Sequence, residues 1–119
     1  MQMNHQKENS MSHQQYEACI KACQKCVAEC EHCATACSED DNRKDLACCI
    51  TLDRDCAAIC ALAAEMMARG SSFAKEICGL CAKICRACGD ECSKHQHMEH
   101  CKRCADACYQ CAEECEKMA

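Results

Sequence analysis

Residues 78–92 read Cys-Gly-Leu-Cys-Ala-Lys-Ile-Cys-Arg-Ala-Cys-Gly-Asp-Glu-Cys. The cysteines fall at Cys78, Cys81, Cys85, Cys88 and Cys92, steps that alternate three and four. At about 100° per residue such steps return to one face of an α-helix, and a strand period of two does not fit them. The same five-cysteine spacing recurs at Cys23, Cys26, Cys30, Cys33 and Cys37, with Cys19 one turn earlier, and at Cys101, Cys104, Cys108, Cys111 and Cys115. An internal repeat of this kind divides a chain into like units. Between the first two copies lies a diluted one, with Cys49, Leu52, Cys56, Ile59 and Ala63 on the 3-4 grid and Cys48 and Cys60 beside it.

Outward from these runs the chain reads as four helices. It has no proline and three glycines, so few positions can interrupt a helix. Residues 1–12 are polar and expected to form a loose tail, with Ser12 capping a helix over 13–38. The cluster 38–42 (Ser-Glu-Asp-Asp-Asn) predicts a turn before a second helix over 43–69, which Gly70 is placed to end. Ser71 or Ser72 caps a third helix, 72–94, and a His-rich link leads to a fourth, 98–117. Four helices on short links favour an all-α, antiparallel up-down-up-down bundle over residues 13–119.

The spacing also says what fills that bundle. In each cysteine-rich helix the sulfurs fall within about 40° of one direction, on the seam where bundles place leucine. Lys21, Lys25, Glu29, Lys83, Arg86, Asp90, Lys102, Asp106, Glu113 and Glu114 occupy the opposite faces. The chain of 119 residues holds 20 cysteines but only eleven Leu, Ile, Val and Phe together. A cysteine in place of each core leucine would leave voids, each costing on the order of 1 kcal/mol or more. Something else must occupy the interior. Disulfides are the poorer choice, because cysteines four apart on one helix are too distant to bridge, and disulfide scaffolds are usually loop-rich. The N-terminus lacks the apolar core of a secretory signal, which leads to the expectation of a cytosolic chain with reduced thiols. No apolar run is long enough for a membrane span, and a net charge of −5 offers no basic surface to nucleic acid.

Sulfur-only sites select copper(I), zinc or iron–sulfur clusters. Iron–sulfur motifs sit on loops and commonly end in Cys-Pro, and structural zinc sites present Cys-x2-Cys knuckles on turns. Rows of cysteine on continuous helices suit copper(I), which accepts two or three soft ligands. Eight Cys-x3-Cys pairs could each pinch one ion: 19/23, 26/30, 33/37, 56/60, 81/85, 88/92, 104/108 and 111/115. Thiolates that bridge two ions bring charge to balance near one ion per cysteine, an upper limit of roughly 20 per chain. A zinc or cadmium buffer of metallothionein-like role is the alternative within metal binding. A redox enzyme would need one activated cysteine singled out from the rest, and no catalytic constellation is present.

Taken together, the Cys-x2-Cys-x3-Cys runs from Cys19 to Cys115 resemble the four-helix-bundle copper storage proteins of bacteria. That resemblance implies a Cu(I) store of the cytosolic branch, a homotetramer of bundles, and delivery by a copper chaperone. The cysteine-poor second helix departs from the repeat.

The turn after helix one and the link after helix three fall at the same end of such a bundle. His95, His97 and His100 lie there, within the angular range of their helix's cysteines, and suggest a mouth with exchangeable ligands. His32 projects away from the thiols of its helix. Met66, Met67 and Met118 at the far end read first as gap-fillers and second as thioether ligands.

Overall fold

Where the chain breaks is decided by turn chemistry alone, since no proline removes a backbone donor. The computed structural model describes the backbone of residues 2–119 and the side chains of residues 16–119. It contains α1 (Gln2–Ser38), α2 (Ala47–Ala68), α3 (Ala74–Ser93) and α4 (Glu99–Met118), with no strand among the described residues.

The backbone is helical from Gln2, where the sequence reading placed a loose tail over 1–12 and a cap at Ser12. Gln, Lys, Glu and Met are good helix formers, and no glycine or proline stops the helix from extending towards the N-terminus. The side chains of residues 1–15 lie outside the described residues.

α2 starts four residues later than expected. The acidic stretch after α1 folds into successive tight turns: the amide of Asp40 donates to Cys37 O (3.2 Å), that of Arg43 to Asp40 O (3.1 Å), and that of Leu46 to Arg43 O (3.2 Å). Asp40 Oδ1 also accepts from the Asn42 amide at 2.8 Å, the side-chain turn expected of aspartate. Leu46, 2 % exposed, tucks under this connection.

Gly70 closes α2 as its position predicts. Its φ is +66°, a conformation that costs other residues a Cβ clash. The Ser71 amide donates to Met66 O (2.9 Å) and the Gly70 amide to Met67 O (3.1 Å), together a Schellman motif that satisfies two end carbonyls. Ser71 Oγ then accepts from the Phe73 amide at 3.1 Å, and α3 begins at Ala74.

The helices form a square. α1 packs on α2 and α4, α3 packs on the same two, and among the described residues there is no diagonal contact. Bidentate hydrogen bonds from Arg86 to Glu116 (2.8 Å each) tie α3 to α4, and Arg103 to Glu29 (2.9 Å) ties α4 to α1. These exposed pairs set orientation more than stability. Val27, Ile50, Leu52, Ile59, Ile77 and Ile84 are only half-buried and flank the interior, whose centre is left to cysteine and alanine.

Candidate metal centre

Alternating three- and four-residue steps turn the thiols of all four helices towards one axis, where burial is nearly complete. Eighteen cysteines are 0 % exposed and Cys19 is 1 % exposed. None is in a disulfide.

Neighbouring helices bring sulfurs to the same level, so the thiols meet across helices as well as along them. At the far end Cys19 lies 3.5 Å and Cys23 3.8 Å from Cys115. Further along, Cys60 reaches Cys81, Cys85 and Cys111 at 3.6, 3.6 and 3.7 Å. Cys56 stands 3.6 Å from Cys26 and 3.5 Å from Cys85, and Cys30 stands 3.7 Å from Cys108. Near the other end Cys37 lies 3.7 Å from Cys101, and Cys49 lies 3.4 Å from Cys92. Six of the eight Cys-x3-Cys pairs have their sulfurs 3.8–4.0 Å apart.

Groups of four sulfurs lie within 4.8 Å of one another, among them Cys23/Cys60/Cys81/Cys111, Cys26/Cys30/Cys56/Cys108 and Cys33/Cys37/Cys49/Cys101. One helix presents its cysteines only as a row, and the square packing of four such rows supplies the four-sulfur groups. Yet Cys26, Cys30, Cys56, Cys60 and Cys108 each belong to more than one group. The sulfurs therefore form a continuous column, suited to ions that share bridging thiolates.

On α2 the structure differs from the sequence reading at Cys48, Leu52, Ile59 and Met66. Cys48 is exposed on the outer face, because two consecutive residues of a helix point about 100° apart and Cys49 takes the inner position. The inner row of α2 is not Cys49, Leu52, Cys56, Ile59 and Ala63. It is Cys49, Asp53, Cys56, Cys60, Ala63 and Met67, all 0 % exposed. Met67, not Met66, closes that row.

Asp53 is the residue that sequence reasoning missed. It is the one buried charged side chain among the described residues. Its Oδ1 accepts from Cys88 (3.1 Å), Cys104 (3.3 Å) and Cys92 (3.4 Å), and Oδ2 lies 3.9 Å from Cys49. Burial, then the charges of Cys104 and Cys88, push its carboxyl up to about 10. Burial likewise pushes the Cys37 thiol up to about 11, and raises Cys101.

The four histidines among the described residues divide into two pairs at the end where α1 meets α2 and α3 meets α4. His100 Nε2 lies 3.5 Å from Cys37 Sγ. The ring of His32, exposed as expected, stands edge-on to His100 with centroids 6.4 Å apart. His95 turns to Glu91 (Nε2 to Oε2, 3.4 Å) and lies 6.5 Å from His97, ring centre to ring centre. These two line a cavity of about 380 Å³ with Asp40, Asn42, Asp45, Leu46 and Met98. Of the three histidines expected at the mouth, His100 alone reaches a core sulfur.

A square bundle whose axis is a column of touching, reduced thiols defines a protein built to hold soft metal ions in bulk. Residues 12–119 match the copper storage protein family, and the chain belongs to it. It is 56 % identical over 81 residues to the cysteine-rich protein YhjQ of Bacillus subtilis, covering 68 % of this chain and 75 % of that one. The fold is similar to that of the Cu(I)-bound copper storage protein BsCsp3, with a TM-score of 0.84 and 54 % identity over 88 % of this chain and 98 % of that chain. It is also similar to a cytosolic copper storage protein from Streptomyces lividans holding five coppers, with a TM-score of 0.86 and 35 % identity over 92 % and 95 % of the two chains.

Proposed function

We propose that this chain stores copper(I), many ions to each bundle, on the thiolates of its interior. The observation that carries the reading is the continuous column of nineteen buried cysteines, whose sulfurs gather into overlapping groups of four.

Charge separates copper from zinc. A zinc ion on four thiolates leaves two negative charges uncompensated, and among the described residues no lysine or arginine is buried to balance them. Copper(I) at one ion per bridging thiolate leaves none. Soft sulfur ligands in shared, low-coordinate arrangements are what copper(I) prefers. The ligands we assign are Cys19, Cys23, Cys26, Cys30, Cys33, Cys37, Cys49, Cys56, Cys60, Cys78, Cys81, Cys85, Cys88, Cys92, Cys101, Cys104, Cys108, Cys111 and Cys115. Cys48 stands outside this set.

His100 hands ions from the mouth to Cys37, with His95 and His97 offering weaker ligands beside it. The role is storage without catalysis, and a copper chaperone delivering at this mouth is the expected partner. A cytosolic setting agrees with the reduced thiols; no helix is long and apolar enough to cross a membrane. Assembly as a homotetramer is supported by apolar side chains left on the α2–α3 face, where Leu62 and Leu80 are 42 % and 49 % exposed.

Anaerobic titration of the reduced protein with Cu(I) against a competing chelator, followed by total metal analysis, tests the reading. Saturation near one ion per buried thiol is expected. Saturation at a few ions per chain, or preferential retention of zinc at one per four thiols, would refute it.

A further inference from the structure

Of the twenty cysteines, Cys48 alone is exposed. The inner row of α2 repeats the spacing of Cys19 to Cys37 in α1 thirty residues on, and Cys48 falls beside that row. A thiol on the outer face adds nothing to a column of ions on the axis.

Its neighbours are other metal-ligating groups. The 3.4 Å approach of Cys49 to Cys92 sets the first turn of α2 level with the last turn of α3. One residue back on each helix, Cys48 faces the carboxylate of Glu91. His95 follows Glu91 by four residues. Its amide donates to Cys92 O (3.0 Å), which carries the helical path far enough to put both side chains on one face.

We propose that Cys48, Glu91 and His95 form an outer site for one divalent ion of zinc type, separate from the copper column, with a fourth position open to solvent.

Three observations carry this. First, the donors are one thiolate, one carboxylate oxygen and one imidazole nitrogen, drawn from two sides of the α2–α3 seam. Zinc takes such a mixed set, whereas copper(I) prefers sulfur alone. Second, the two oxygens of Glu91 are divided. Oε1 accepts from Lys94 Nζ at 3.1 Å, and Oε2 lies 3.4 Å from His95 Nε2. That is long for a hydrogen bond between imidazolium and carboxylate, which closes to about 2.7–2.9 Å. With bonds of about 2.0 Å to each atom, the nitrogen–oxygen edge of a tetrahedron around zinc is about 3.3 Å. Third, the charges close. A divalent ion on one thiolate, one carboxylate and one neutral imidazole is balanced, while on four core thiolates it is not. The Glu91 and His95 side chains are 13 % and 17 % exposed and so held in place, and exposed Cys48 leaves the ion a way in. Cys48 gives its proton to solvent as the metal binds.

The test adds Zn(II), or Co(II) as its optical probe, to the full chain after its column has been filled with Cu(I). One ion per chain is expected. X-ray absorption should fit the zinc shell with one sulfur and three nitrogen or oxygen atoms, and Co(II) should give the visible bands of tetrahedral geometry. Cys48→Ser and Glu91→Gln should each weaken binding by about 10- to 100-fold or more. Unchanged Cu(I) capacity in Cys48→Ser shows that the loss is not misfolding. Zn(II) should also shield Cys48 from alkylation in the original chain and not in Glu91→Gln, read at that residue by mass spectrometry. This second readout holds whether or not the column takes copper, so the site and the copper store can fail separately. A zinc shell of two or more sulfurs, binding unaltered by Cys48→Ser, or Cys48 alkylated equally fast with and without Zn(II) would overturn the proposal.

Discussion

Cys37 Sγ lies 3.5 Å from His100 Nε2, so the thiol column and the histidines of the mouth are in direct contact. A half-buried imidazole at that distance can hold an incoming cuprous ion and pass it to the first thiolate without releasing it to water. His100→Ala should therefore slow uptake from a chelated Cu(I) donor by roughly ten-fold, equivalent to about 1.4 kcal/mol on the barrier. Final capacity should fall by no more than one ion. His97→Ala, which alters an exposed ring, should slow it less. Stopped-flow absorbance of the donor gives the rate, and equal rates for all three proteins would remove His100 from the path.

Adjacent residues on α2 should behave in opposite ways. Cys48 is exposed and Cys49 is 0 % exposed. In the folded, reduced, metal-free protein one thiol should alkylate rapidly and nineteen slowly, since access controls thiol reactivity. Cys48→Ser should abolish the fast phase and leave Cu(I) capacity unchanged. Cys49→Ser should keep the fast phase and lower capacity by about one ion. Mass spectrometry after timed alkylation, with metal analysis of each variant, decides it.

This pair also shows how far the sequence could be read. Where five cysteines repeat one spacing, as in Cys78 to Cys92, helix, inner face and bundle follow from periodicity alone, because every marker agrees on one direction. On α2 the markers are too few to define the face. Leu52 and Ile59 look like core residues, yet the inner row runs through Asp53 and Cys60 and leaves both half-buried. The thirty-residue offset from α1 was the available signal, and it requires accepting a carboxylate in a core. The mouth was legible as a location but not as a geometry. His95, His97 and His100 share a helical sector, while the link between α3 and α4 turns His95 to Glu91 and leaves His100 at Cys37.

Uptake at the mouth should strengthen as pH rises. Burial pushes Cys37 from its ordinary 9.0 up to about 11, so at neutral pH it is protonated and must lose that proton to bind metal. Apparent affinity should gain about ten-fold per pH unit for each thiol proton displaced, up to about pH 11. Without metal the sign for stability is the reverse. The native state holds this proton where the unfolded state has lost it, so the contribution of Cys37 is fully present below pH 9 and is lost as pH rises towards 11. Competition titrations at several pH values measure the first effect. Denaturation of metal-free and copper-loaded protein across pH 8 to 11 measures the second, which the loaded form should not show.

Loading should raise thermal stability far more than a ligand at a single site does. Eleven Leu, Ile, Val and Phe in 119 residues give the metal-free bundle little aliphatic burial, and its axis is lined by side chains much smaller than leucine. Its unfolding free energy should lie near the lower end of the usual 5–15 kcal/mol. Each cuprous ion bound only by the folded state adds about 2.7 kcal/mol once free metal exceeds its Kd by about 100-fold. Two such ions rival the whole stability of the metal-free chain. At roughly 3–6 °C per kcal/mol for a domain of this size, the first few ions should raise Tm by more than about 15 °C. Anaerobic circular dichroism melts at increasing Cu(I) should show Tm climbing with each equivalent, and a strong chelator should return it to the starting value. A loaded protein that melts where the metal-free one does would mean that its ions sit outside the folded interior.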